Sequence, residues 1–149
     1  MKKIFSLISI LITFFTTTVA QELSLIAKTE KDKVILRWMP QSFDTWQKGN
    51  AVGYQLFRQT THRNGLKIDE AQILLTPSPI VPLKENYWTL LSKQENFATV
   101  AYQFLTAPTP EDQTSKDLSF AMAMLMSNTS GAIAGGMAML YEDRTTAPN

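Results

Sequence analysis

The stretch VILRWMP at residues 34–40 is the part of the sequence that decides the fold. Val34, Leu36 and Trp38 fall on one side of an extended chain and Arg37 on the other, because successive side chains of a strand point to opposite faces. The β-branched and aromatic content is typical of a half-buried strand, so we expect Trp38 in the core. Pro40 cannot donate to a sheet ladder, and the strand is expected to end there.

The residues on either side of this stretch also favour strands. Residues 23–27 alternate apolar and polar side chains, and the charged residues 30–33 form a turn between the two segments. Residues 41–50 are polar with two aromatics, Phe43 and Trp46, and their pattern is assigned to neither a strand nor a helix. The stretch GYQLFRQT at residues 53–60 predicts a third strand, and the Asn-Gly pair at 64–65 is a strong turn signal.

Taken together, residues 23–27, 34–40 and 53–58 resemble the opening of a fibronectin type III domain. In this resemblance, which covers residues 23–60, Trp38 is the core tryptophan and Tyr54 the tyrosine of the third strand. It implies a β-sandwich and a non-catalytic role in binding or scaffolding. The family continues with further strands, whereas this chain turns helical, which suggests a fragment of a larger exported bacterial protein with a helical insertion.

The second half of the chain has a helical period. Apolar residues recur at three- and four-residue spacing over residues 84–105, which predicts an amphipathic helix of about five turns. Residues 118–140 predict a second helix, in which Gly131 and Gly135 allow close packing. The short Pro-containing connection predicts an antiparallel pair. The fold class is therefore expected to be α+β: a partial fibronectin type III-like β-sandwich over residues 21–75, followed by an antiparallel pair of helices within 76–149.

Residues 1–20 have the layout of a secretory signal peptide. A cationic start precedes an apolar run and a small-residue tail, with a predicted cut before Gln21. The chain is therefore expected to be exported, as a secreted, periplasmic or cell-surface protein. The apolar run is short for a membrane span, and polar residues 127–130 interrupt the later helix, so membrane insertion is not expected.

Composition excludes several classes of site. The formal net charge is +1 without a stripe of Lys or Arg, so no nucleic-acid partner is expected. There is no cysteine, hence no thiol nucleophile or thiolate metal site, and His62 is the only histidine. No catalytic residue, cofactor or metal is predicted. The isolated acids Asp44, Glu70, Glu142 and Asp143 are expected on the solvated surface.

The candidate site is an aromatic platform. Phe43, Trp46 and Trp88, with Tyr54 nearby, could stack on the apolar faces of sugar rings, although burial in the core is the favoured reading. The sequence thus predicts an exported, non-catalytic binding or scaffolding module whose partner is a protein or carbohydrate at the cell surface. Two alternatives stay open: an accessory N-terminal region of a larger exported hydrolase, or an envelope protein using its apolar helix.

Overall fold

The computed structural model describes residues 22–145, which form an α+β fold, as expected from the sequence. The predicted signal and its cut before Gln21 lie outside the described residues. The elements, in chain order, are β1 (Leu23–Thr29), β2 (Val34–Pro40), α1 (Phe43–Val52), β3 (Phe57–Arg58), β4 (His62–Arg63), β5 (Leu66–Lys67), β6 (Ile73–Leu74), α2 (Glu85–Leu91), α3 (Ala98–Thr106), α4 (Gln113–Ser127), α5 (Gly131–Gly136) and β7 (Leu140–Asp143).

The main sheet has three antiparallel strands in the order β1-β2-β7. The first two strands are a hairpin that sets Leu25 opposite Trp38, and β7 places Tyr141 opposite Leu36 on the other side of β2. The predicted strand at residues 34–40 is confirmed as the central one. Trp38 is 5% exposed, which confirms it as a core residue.

Residues 41–50, for which the sequence pattern gave no element, lie almost entirely in the helix α1. Ser42 caps it, since the side-chain oxygen accepts a hydrogen bond from the Thr45 N–H at 3.2 Å. Phe43, Trp46 and Gly49 recur every three residues on the buried face. This spacing predicts a helix despite the polar residues between them.

The predicted third strand at residues 53–60 is largely wrong. Only Phe57–Arg58 forms a strand, and it pairs with β6 rather than with the main sheet. Tyr54 makes an isolated bridge to Ile80, with N–H to O=C distances of 2.9 and 2.8 Å. The segment from β3 to β6, which we call the arm, ends in the β4–β5 hairpin. Its Asn-Gly turn is confirmed, because Asn64 and Gly65 both have positive φ, 51° and 77°.

Each of the two long predicted helices is broken. Residues 84–105 form α2 and α3, separated by a turn at 92–97. Residues 118–140 form most of α4, then α5 and the first residue of β7. The second helix breaks where Ser130 caps α5 by accepting a hydrogen bond from the Ile133 N–H at 3.1 Å. The helical halves do pack together, but through the pairs α3–α4 and α2–α5.

The close approach predicted at Gly135 occurs one residue later. A Cβ on Gly135 would meet nothing within 4 Å, whereas one on Gly136 would lie 2.7 Å from the Trp88 ring and 2.8 Å from Tyr87. Two aromatic rings therefore rest on the backbone of α5 at Gly136. After α5, Ala138 takes a left-handed φ of 59°, and the chain re-enters the sheet as β7.

Candidate functional site

Two open grooves flank β1, one on each face of the sheet. The inner groove, of 560 Å³, lies between β1, the end of α1 and the segment after it. The outer groove, of 510 Å³, lies between the opposite sheet face and the turn from α4 to α5. Trp38 contributes to the lining of both. These two grooves, both with largely apolar linings, are the candidate binding site.

The inner groove has an apolar lining with a few charged groups. Leu23, Leu25 and Trp38 line it from the sheet, Val52 from α1, and Leu56 from the segment that follows. Polar and small residues complete the lining: Glu22, Thr45, Lys48, Gly49, Gly53, Tyr54 and Gln55. Such a surface suits an apolar ligand with polar groups at its ends.

Tyr54 and Trp38 pack together beside this groove, with ring centroids 5.4 Å apart and planes tilted by 56°. The Tyr54 hydroxyl and the Trp38 indole N–H are buried without a hydrogen-bond partner in the described part of the chain. Burial raises the pKa of Tyr54 to about 12, which keeps the phenol neutral. Gly49 permits this packing, since a Cβ there would overlap the Tyr54 ring and hydroxyl.

The outer groove is organised by Arg37. Its guanidinium donates hydrogen bonds to the Ser127 carbonyl at 2.8 Å and to Asn128 Oδ1 at 3.2 Å, joining β2 to the end of α4. Apolar side chains of the sheet surround it, including Ile26, which is 71% exposed, and Leu140. These two hydrogen bonds from the guanidinium hold the turn after α4 against the sheet.

Phe43, Trp46 and Trp88 do not form an exposed platform. They are 5%, 1% and 2% exposed. Phe43 and Trp46 meet edge to face at 5.8 Å, while Trp88 belongs to a separate stack with Tyr102, also at 5.8 Å. The side chains are core because each lies on the buried face of its helix, as the favoured reading of the sequence had it. The sugar-stacking platform is therefore wrong for these residues.

One of the four acids expected on the surface is buried. Asp143 is 2% exposed and accepts from Arg58 of β3 at 2.6 Å and from the Thr145 N–H at 2.9 Å. Burial alone would raise its pKa, but the hydrogen bonds from Thr145 and the charge of Arg58 outweigh it and hold the pKa below the ordinary value. This pair ties the arm to β7. Glu70 instead pairs with Arg63 at 2.8 Å near the surface.

Other chemistry-bearing residues are dispersed. His62 is exposed in β4, with only the neighbouring Thr61 hydroxyl 3.2 Å from its Nδ1. Within residues 22–145, no three His, Asp or Glu side chains cluster closely enough to hold a metal ion. Over the same range, every helix is too short or too polar to cross a membrane.

Sequence reasoning identified Trp38 and Tyr54 but missed the inner groove that they border. The three-residue spacing of Phe43 and Trp46 after Ser42 predicts a capped helix. Such a helix places Lys48 and Val52 close to β1. The groove itself depends on how far α1 stands from β1, which no local pattern encodes. In comparisons of the chain with family models, curated proteins and solved structures, none was found to match.

Proposed function

We propose that this chain is an exported, non-catalytic binding module that holds an extended apolar segment of a partner protein in its inner groove. The observation that carries the proposal is the groove itself: 560 Å³ of open, mainly apolar lining beside a strand. An extended peptide places alternate side chains on one face, so it could fill such a groove with apolar residues.

The lining favours a protein segment over a carbohydrate. Sugars need several hydrogen-bonding side chains around an exposed aromatic face, and the aromatic rings here are buried. Leu23, Leu25 and Val52 supply apolar surface instead, and Val52 is 61% exposed at the groove. The charged side chain of Lys48 in the lining could fix the orientation of a peptide through one of its polar ends.

Two features of the sequence support export and a binding role. Residues 1–20 read as a secretory signal, and residues 23–60 resemble a fibronectin type III opening. The described residues depart from that resemblance in the helix α1 and in the helices from α2 onward, and β3 pairs with β6 instead of with the main sheet. The resemblance therefore supports only the binding role in this proposal.

The test uses an apolar dye and a defined peptide. 8-Anilinonaphthalene-1-sulfonate should fluoresce on binding, and a synthetic peptide of alternating leucine and threonine should displace it. Val52→Gln should weaken the binding of both, because it puts an amide into the apolar groove. The matched control is Leu118→Gln on α4, equally exposed at 63% and outside both grooves; it should bind like the parent chain.

Three outcomes of the binding test would count against the proposal. The peptide could fail to displace the dye, the two variants could lose binding equally, or maltohexaose could compete while the peptide does not. The last result would favour a carbohydrate partner. Detecting turnover of glycoside, ester or peptide substrates that a single substitution abolishes would contradict the non-catalytic part of the proposal.

A further inference from the structure

Strand β1 is an open edge of the main sheet. It pairs with β2 on one side, and no described strand pairs with its other side. From Ser24 to Thr29 every residue is exposed. Leu25 on the inner face is 57% exposed and Ile26 on the outer face 71%, so neither face of the strand is covered. An apolar edge of this kind is a template for pairing with another strand.

The backbone shows which residues would make the new ladder. Gln41 N–H donates to the Glu22 carbonyl at 2.9 Å, and Glu30 N–H donates to the Lys33 carbonyl at 2.8 Å. Both bonds follow the same register as the pairs between β1 and β2. Glu22 and Glu30 are even-numbered and lie at the two ends of β1, so the even-numbered residues between them also direct their backbone groups to β2. Those of Leu23, Leu25, Ala27 and Thr29 point to the open side, since the direction alternates along an antiparallel strand.

We propose that β1 pairs antiparallel with β1 of a second copy of this chain, around a twofold axis that passes beside Leu25. The two three-stranded sheets then form one continuous sheet of six strands. In this arrangement Leu25 lies opposite Leu25 of the second copy, and Leu23 lies opposite Ala27. Both pairs use the outward-pointing backbone groups, and all of these side chains lie on the inner face.

Charge complementarity selects the second copy and the register. With the axis at Leu25, Glu22 lies directly opposite Lys28 of the other copy, twice by symmetry. Both residues are exposed, and alternation along the β1–β2 register puts the side chains of even-numbered residues on the outer face. Within its own chain Lys28 also pairs with Glu30 at 3.0 Å, and its side chain remains 73% exposed in that pair. They form a pair of the non-hydrogen-bonded type, in which side chains approach most closely. Opposite charges in such cross-strand pairs stabilise a sheet.

The other registers that keep most of the strand paired lack this match. An axis at Ile26 places Glu22 opposite Glu30 of the other copy, which is repulsive. An axis at Ala27 places Ile26 opposite Lys28. A shift of one strand by a single residue is excluded as well. It would place the inner-face side chains of one copy opposite the outer-face side chains of the other, because the side-chain period of a strand is two. Of the three axes, only the one at Leu25 places opposite charges across from each other and also brings the leucines together.

This inference does not rest on the proposed function. It would, however, bring the two inner grooves side by side, since Leu25 lines each groove and would meet Leu25 of the other copy at the axis. Dimer formation and dye binding are measured separately, so either proposal can fail while the other holds.

The decisive experiment reverses the two charges one at a time. Sedimentation velocity over a range of concentrations is recorded for the chain recovered after expression with its own N-terminal segment. The parent should show a concentration-dependent dimer. Glu22→Lys or Lys28→Glu alone should raise the dimer dissociation constant roughly tenfold or more, because two attractive pairs become repulsive. Lys67→Glu, an exposed charge reversal in the arm, is the matched control and should dimerise like the parent.

Mixing the two single variants separates pairing from misfolding. One chain then carries two positive charges at these positions and its partner two negative ones, so both cross-strand pairs are again attractive. An equimolar mixture should form a heterodimer about as strong as the parent dimer. In the parent, amide protection at Leu25 and Ala27 should also rise with concentration, while Ser24 and Ile26, already bonded to β2, should change little.

Several results would overturn the proposal. A parent chain that stays monomeric at millimolar concentration has no β1–β1 pairing. Tighter association of Glu22→Lys would indicate the Ile26 axis, in which that side chain meets Glu30. A mixture of the two variants that stays monomeric would show that the charges do not face each other. Protection of Leu25 that appears only with an added peptide would assign the edge to a different partner.

Discussion

Gly136 shows how one residue can hold two helices together. The rings of Trp88 and Tyr87 lie against its backbone. The Trp88 indole N–H donates to the Leu83 carbonyl at 2.9 Å, and the Tyr87 hydroxyl donates to the Ala132 carbonyl at 2.8 Å. Any side chain at this position would have to displace two rings that are themselves fixed by hydrogen bonds. The packing of α2 on α5 therefore depends on the absence of a single Cβ.

We predict opposite results for the same substitution at adjacent positions. Gly136→Ala should destabilise the fold by about 1–3 kcal/mol, the usual cost of overpacking. Gly135→Ala should be neutral or stabilise by up to about 1 kcal/mol, because open space surrounds it and alanine is the better helix former. Urea denaturation of both variants measures the difference. Equal destabilisation at the two positions would mean that glycine is needed in α5 for another reason.

Whether the burial of a single residue could be predicted from the sequence depended on the residue's local pattern. Trp38 could be placed in the core because it lies in a strand whose alternation is regular. Asp143 could not, since an isolated acid carries no local mark of the arginine that will neutralise it. Arg58 is 85 positions away in the chain, and only the tertiary fold brings the two together.

At the scale of elements, the periodicity of apolar residues indicated the type of element better than its length. The alternation in β1 and β2 gave correct strands. The helical spacing over residues 84–105 was also real. It did not reveal the turn at 92–97, because Leu91 and Ala98 are seven residues apart and stay in helical phase across the polar residues 92–96. The segment after Gly53 has a strand composition yet forms one bridge and a two-residue strand. Its alternation reflects packing against Ile80 and the arm rather than a long ladder.

The link between the arm and β7 gives an element-scale prediction. Asp143→Asn should destabilise the fold by about 1–3 kcal/mol, since Arg58 then loses its charged acceptor at a largely buried site. Glu142→Gln is the matched control one residue away. Glu142 pairs with Lys33 at 2.7 Å and with Arg144 at 2.6 Å, but its side chain is 36% exposed against 3% for Asp143, so this variant should change stability less.

The same pair predicts a pH dependence. The folded-state pKa of Asp143 is lowered, so the unfolded chain binds its proton more readily. The stabilisation is therefore complete above the unfolded value of about 3.9 and is lost as the pH falls below it, through the folded-state pKa. Asn at position 143 should flatten this part of the curve of unfolding free energy against pH. An unchanged slope between pH 5 and 2 would assign the acid sensitivity to other carboxylates.

At the scale of the whole molecule, burial is concentrated away from the arm. Ile133, Ala134 and Met137 are 0% exposed, and they lie between the sheet and the other helices. The arm consists of two-residue strands with exposed apolar side chains such as Phe57 and Leu66. Local stability follows the amount of apolar surface buried around a segment, so the molecule should open in parts before it unfolds as a whole.

Hydrogen exchange should resolve this gradient. Amides of residues 59–72 should exchange through local opening, with free energies of about 0–2 kcal/mol, whereas those of α5 should require global unfolding. The Arg58–Asp143 pair sets the boundary, because it fixes β3 to β7 while the rest of the arm extends beyond it. Low denaturant should leave the arm's exchange unchanged and accelerate that of α5, since only global opening exposes much new surface. If the arm proved as protected as α5, its exposed apolar residues would have to be covered in solution, and the arm rather than β1 would become the leading candidate for a contact surface.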